Sequence, residues 1–141
     1  MNVQSSDGIF QLIYTSKPSV HLTEQSMIDI LVKAQQYNQD EGISGFLLYS
    51  NTELVQLIEG DETAVKKLFQ KIEKDTRHQD IVIRHISFTD ARCMPFLGMG
   101  LCFMEGTHYP EHQFYFTQAD AKRFTALISG EIGELFAKYL D

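Results

Sequence analysis

The chain has 141 residues, 43% hydrophobic and 22% charged, a balance that suits one folded domain and excludes both a disordered chain and two independent catalytic domains. With 19 Asp and Glu against 12 Lys and Arg, the net charge of −7 argues against nonspecific binding to nucleic acid or to an anionic membrane. No stretch approaches the roughly 18 to 20 apolar residues of a membrane span, and Met1 to Gly8 has neither a basic start nor an apolar run, so a cytoplasmic location is expected.

Ile9 to Thr15 is short, β-branched and aromatic, and Ser16-Lys17-Pro18-Ser19 closes it, which predicts a strand with Phe10, Leu12 and Tyr14 on one face. Glu24 to Tyr37 follows Thr23 as an N-cap and carries Met27, Ile30, Leu31 and Ala34 at helical spacing. A turn from Asn38 to Gly42 leads into a strand from Ile43 to Tyr49. Only Asn51-Thr52 separates this strand from the next, Glu53 to Ile58, so the two form an antiparallel hairpin. Gly60-Asp61 opens a second helix, with Val65, Leu68, Phe69 and Ile72 as its apolar stripe and Lys66, Lys67, Lys71 and Lys74 on other faces. Strands are predicted over Asp80 to Phe88 and Leu97 to Met104.

The order βαββαββ matches a ferredoxin-like α+β sandwich, two helices packed on one face of an antiparallel sheet. Two further helical stretches follow, Gln118 to Ile128 after a Thr117 cap and Glu131 to Leu140, separated by Gly130. Their apolar positions, Phe124, Leu127, Ile128, Leu135 and Phe136, need a surface to cover: the other face of the sheet or a second subunit.

Several chemistries lack their residues. Cys93 and Cys102 are too few for a disulfide framework and too far apart for a Cys-x-x-Cys motif. His108 and His112 have Pro110 between them, which denies the helix that would put an i,i+4 metal pair on one face. No serine sits in a Gly-x-Ser-x-Gly turn, and nothing around Gly98 and Gly100 completes a phosphate-cradling glycine motif.

The local anomaly is Gln56, set among Leu54, Val55, Leu57 and Ile58 in an otherwise apolar strand. A buried amide costs roughly 1 to 3 kcal/mol unless it finds partners. Tyr14 on the first strand can be that partner, both residues lying on the helix-facing side. The pair is then either a satisfied hydrogen bond in an ordinary core, or two groups facing a heterocycle whose edge carries donors and acceptors and whose faces are apolar.

Five motifs follow one another along the chain: Leu12-Ile13-Tyr14-Thr15-Ser16; Asn38 followed by Gly42-Ile43-Ser44-Gly45-Phe46-Leu47-Leu48-Tyr49; Gln56-Leu57-Ile58-Glu59-Gly60; Asp75-Thr76-Arg77-His78; and Arg92 with Met99. With these motifs the chain from Ile9 to about Met104 resembles the BLUF family, blue-light sensors that use FAD. Residues 1–105 would then form the FAD-binding sensor domain, and 106–141 a helical extension that packs on the sheet or forms an oligomer interface.

The resemblance implies that Ile30 and Ile72 sandwich the flavin ring, Asn38 binds its carbonyl edge, and Gln56 stands between the ring and Tyr14. It makes Lys71, Arg77 and His78 polar flavin contacts, the two cations suited to the ring carbonyl or the diphosphate. FAD is the expected cofactor, with FMN and riboflavin compatible. The implied photochemistry uses the excited flavin as oxidant, Tyr14 as donor of an electron and a proton, and Gln56 as relay. Gln56 is left rotated or tautomerised, which biases the last strand at Met99.

Three positions depart from the family: Leu54 where an aromatic is frequent, Met94 where a Phe is, and Leu97 where a Trp commonly precedes the last-strand Met. The flavin contacts are intact, but a switch that exchanges Trp and Met beside Gln56 cannot operate here. Two functions are therefore carried forward: a photoreceptor without enzymatic activity, signalling to a noncovalent protein partner and self-associating through its C-terminal helices, or a light-insensitive interaction module on the same sandwich. At this length no cyclase or phosphodiesterase domain is expected beside the sensor.

Overall fold

In the computed structural model, which describes residues 8–94, 96–104, 115–127 and 130–140, the elements are β1 (Ile9–Pro18), α1 (Glu24–Asp40), β2 (Ser44–Tyr49), β3 (Leu54–Gly60), α2 (Glu62–Glu73), β4 (His78–Thr89), β5 (Gly98–Phe103), α3 (Gln118–Leu127) and α4 (Gly130–Leu140). The strands lie in the order β4-β1-β3-β2-β5. β1 pairs antiparallel with β3 and β4, and β2 antiparallel with β3.

β5 runs parallel to β2, Ser44 beside Gly98 and Tyr49 beside Phe103, so the sheet is mixed where an antiparallel one was predicted. The route of the chain explains the direction. Thr89 ends β4 beside Ile9, and residues 90–94 lie across that same end of the sheet, where β5 begins at Gly98. Glu59 holds the crossing. Its carboxylate, fully buried, accepts from Gln11 Nε2 at 2.9 Å, Ser44 Oγ at 2.9 Å, and the Cys93 and Met94 N–H groups, both at 2.8 Å. Four donors offset the cost of burying the charge. Arg92 ties in by donating to Ser44 Oγ at 2.9 Å and to the Gly42 carbonyl at 2.7 Å.

The helices start where their caps dictate. Thr23 Oγ1 accepts the Ser26 N–H at 3.1 Å, and Asp61 Oδ2 accepts from the Thr63 and Ala64 N–H groups at 3.1 and 3.3 Å. α1 runs on to Asp40, through the segment predicted as a turn, and stops because Gly42 takes a φ of 69° that closes the last turn. Asn38 therefore belongs to the helix. It shares the stripe of Ile30 and Ala34 at i, i+4 spacing.

Two apolar layers flank the sheet. Phe10, Leu12 and Tyr14 of β1, Ile58 of β3 and Met99 of β5 pack on one face against Met27 and Leu31 of α1 and Val65 and Phe69 of α2. On the other face Ile13, Phe46, Leu48, Val55, Leu57 and Cys102 meet Ala121 of α3 and Ile132 and Phe136 of α4. At roughly 1.5 to 3 kcal/mol for each fully buried large apolar side chain, both faces contribute substantially. Of the apolar tail positions, Phe136 is buried and Leu135 packs beside it. Ile128 and the side chains of Phe124 and Leu127 lie outside what is described, as do His108 and His112.

Candidate functional site

A cavity opens between α1 and α2, with the sheet as its floor. Apolar walls come from both helices: Ile30, Leu31 and Ala34 from α1, Leu68 and Ile72 from α2. Leu47, Leu54, Gln56, Tyr14 and Met99 form the floor, and Asp75, Arg77 and His78 stand where the chain leaves α2 for β4. Eight residues singled out in the sequence thus line one space: Tyr14, Ile30, Asn38, Gln56, Ile72, Arg77, His78 and Met99.

Gln56 is 6% exposed and Tyr14 3%. The Tyr14 hydroxyl donates to Gln56 Oε1, and Gln56 Nε2 donates to Met99 Sδ at 3.3 Å. The amide that looked costly in sequence is held at both ends. Burial above all, with the nearby charge of Asp75, pushes the Tyr14 phenol well above the ordinary tyrosine range. Tyr14 is therefore a neutral donor over the whole physiological range. Gly45 keeps this corner open, since a Cβ there would meet the Leu57 carbonyl at 2.1 Å and Met99 Cε at 2.9 Å.

Asn38 carries the unsatisfied group. It is 2% exposed, it lines the cavity, and its Oδ1 has no hydrogen-bond partner among the described residues. A buried carbonyl left in that state is a site awaiting an N–H donor.

His78 lines the cavity with both ring nitrogens engaged. Nε2 lies 2.7 Å from the Ile72 carbonyl, which can only accept, so Nε2 carries the proton; Nδ1 meets Ser16 Oγ at 2.7 Å. The ring stands edge-on to Tyr14, centroids 6.2 Å apart. Arg77 is bound to Asp75, Nε to Oδ1 at 2.8 Å and Nη2 to Oδ2 at 2.5 Å. That side-chain bond is the first reason the Asp75 carboxyl sits below its usual range.

Lys71 is not in the cavity. One residue before Ile72, it is turned about 100° around the helix and lines an outer groove with Lys33, Tyr37 and Arg77. Its Nζ lies 4.4 Å from the Tyr37 ring centroid. Asp75 and the apolar walls Leu31, Ala34, Leu47 and Leu68 were not singled out as site residues in sequence. For Asp75 a signal existed, since Asp-x-Arg after a helix makes the turn in which Asp75 Oδ1 accepts the Arg77 N–H at 3.0 Å.

Among the described residues no cluster of His, Cys, Asp and Glu could hold a metal ion, and no helix is long and apolar enough to cross a membrane.

Residues 9–100 match the family model described as BLUF, sensors of blue-light using FAD. Photoactivated adenylate cyclase subunit beta of Euglena longa is 33% identical over 84 residues, 60% of this chain and 10% of that protein. The blue light- and temperature-regulated antirepressor BluF of Escherichia coli (strain K12) is 30% identical over 90 residues, 64% of this chain and 22% of that protein. The chain thus spans a small part of either relative. BlrB, a BLUF protein solved in its dark state, has the same fold, with a TM-score of 0.68 at 24% identity over 96% of this chain and 97% of its own.

Proposed function

The chain belongs to the BLUF family, the sensors of blue-light using FAD, and on that premise we propose that it is a blue-light photoreceptor whose signal is a rearranged hydrogen-bond pattern around Gln56. One observation carries the reading. The orphaned Asn38 Oδ1 is buried in the cavity whose floor holds the Tyr14 and Gln56 pair. A flavin ring fits this donor and acceptor set, because its edge offers an N–H to Asn38 and its faces are apolar like Ile30 and Ile72.

When bound, the flavin supplies a photo-oxidant that blue light switches on. The rest is done by the chain. Tyr14 holds its proton at Oη, against Gln56 Oε1, and stays neutral because burial keeps its phenol from ionising. Exchanging the two ends of the Gln56 amide would present Nε2 to Tyr14 Oη, which can accept, and Oε1 to Met99 Sδ, which has no proton to give. The Gln56 to Met99 bond is lost in that state, so β5 registers the change. Met99 lines both the inner cavity and an outer groove that reaches Phe96 and Leu97, 75% and 43% exposed. The signal leaves through that surface to a noncovalent protein partner, and the protein acts in the cytoplasm without an enzymatic step of its own.

FAD is favoured over riboflavin by the outer groove, where Lys33, Lys71 and Arg77 can meet a diphosphate. In this reading residues 1–105 are the sensor domain. The C-terminal helices cover the second face of the sheet and provide the surface for self-association. The test is direct: protein purified from cells supplied with riboflavin should be yellow, release FAD on denaturation, and shift its absorption reversibly to the red under blue light. Colourless protein after flavin supplementation would instead support the light-insensitive interaction module.

A further inference from the structure

Gln35 does not line the inner cavity, yet its side-chain amide makes two hydrogen bonds to one backbone residue of β5. Nε2 donates to the Met99 carbonyl at 2.9 Å, and Oε1 accepts the Met99 N–H at 3.0 Å. Among the described strands β5 stands at the edge of the sheet beside β2, with Leu101 bridged on its other side to Tyr115. At Met99 the amide takes the place that a further strand would hold. Further along, the Phe116 N–H donates to the Leu101 carbonyl at 2.7 Å. Gly98 permits the approach, with a φ of +116° and no Cβ, which would otherwise lie 2.4 Å from Gln35 Oε1.

Met99 is also the residue whose Sδ accepts from Gln56. Three residues after Gln35 on the same helix comes Asn38, with its orphaned carbonyl in the cavity. One turn of α1 therefore reaches both the cofactor cavity and the β5 backbone.

We infer that Gln35 is a positioning residue: its amide clamps the Met99 backbone to α1, sets Met99 Sδ within reach of Gln56, and couples the state of Gln56 to the helix and to the outer groove beside Phe96 and Leu97. The clamp stands on its own geometry; its effect on the light response rests on the photoreceptor reading.

Two variants test it in the 141-residue chain. Gln35→Leu removes both bonds at similar volume, and Gln35→Glu keeps the acceptor while losing the donor. In the dark, hydrogen exchange of the Met99 amide, read by NMR, should be at least about tenfold faster in Gln35→Leu and within about threefold of wild type in Gln35→Glu. Dark recovery after a blue flash should change by at least about threefold in both, because each loses the bond to the Met99 carbonyl. Unchanged exchange in Gln35→Leu overturns the clamp. Faster exchange with unchanged recovery overturns the positioning role and leaves the photoreceptor reading intact. If Gln35→Leu folds poorly, recovery in Gln35→Glu equal to wild type overturns the role by itself. If wild-type protein shows no light-induced shift, the photoreceptor reading fails, the positioning role fails with it, and Met99 exchange decides the clamp alone.

Discussion

Tyr14 and Gln56 are register partners across the antiparallel pair of β1 and β3, and the Tyr14 hydroxyl donates to the Gln56 side-chain oxygen. Their contact is thus built into the pairing of the sheet. Because side chains alternate along a strand, a slip of one residue would carry Gln56 to the face covered by α3 and α4 and leave Tyr14 without its acceptor.

Asn38 should decide flavin affinity. Replacing it by Ala removes the orphaned acceptor without touching the Tyr14 and Gln56 pair. FAD binding by the refolded apoprotein, followed by quenching of flavin fluorescence, is expected to weaken by about tenfold, the effect of one hydrogen bond from a buried polar group. Affinity equal to wild type would show that the Asn38 carbonyl does not meet the flavin.

Glu59 should decide stability. In Glu59→Gln the new NH2 group faces a donor among Gln11, Ser44, Cys93 and Met94, all of which now give hydrogen bonds to the carboxylate. Urea unfolding should report a loss of about 1.5 to 3 kcal/mol, the range for hydrogen bonds to a buried charge. Exchange of the Cys93 and Met94 amides should accelerate with it. A loss too small to measure would mean that the segment of residues 90–94 is held by its packing alone.

Parts of this arrangement were legible in the sequence for physical reasons, and parts were hidden for equally physical ones. Gln56 was visible because a polar residue in an apolar strand needs a partner, and alternation put Tyr14 on the same face. Asn38 was named, but its setting was misjudged: Asn and Gly at positions 38 and 42 carry turn chemistry, whereas packing of the Ile30, Ala34 and Asn38 stripe extends the helix to Asp40. The direction of β5 was hidden, since alternation is the same in parallel and antiparallel strands. Lys71, one residue's rotation about α2 from Ile72, faces the outer groove and not the inner cavity, a distinction that helical spacing alone does not make. Gln35 and Glu59 give no local signal, because the Met99 partner of Gln35 lies 64 residues away and the Ser44, Cys93, Met94 and Gln11 donors to Glu59 lie 15, 34, 35 and 48 residues away.

Alkaline pH should destabilise the fold in a defined direction. Burial raises the Cys93 and Cys102 thiols to about 11, with the charge of Glu59 adding at Cys93 and that of Asp120 at Cys102. Burial raises the Tyr14 phenol as well. All three keep their protons in the folded state at pH values where the unfolded chain has lost them. Below about pH 8 both states bind these protons and there is no slope; above it the unfolded state binds fewer, so stability falls as pH rises toward the folded values. The thermal midpoint should be level from pH 7 to about 8 and decline steadily above about 9. A midpoint rising through that alkaline range would contradict the assignment of these groups as buried and neutral.

The most direct test of the photoreceptor reading is the blue-light difference spectrum of wild type and Tyr14→Phe measured side by side at equal flavin content. Wild type is predicted to give a reversible red shift of its flavin band, and Tyr14→Phe to retain FAD and give none. A normal shift in Tyr14→Phe would contradict the central claim that the Tyr14 and Gln56 hydrogen bond is the element that light rearranges.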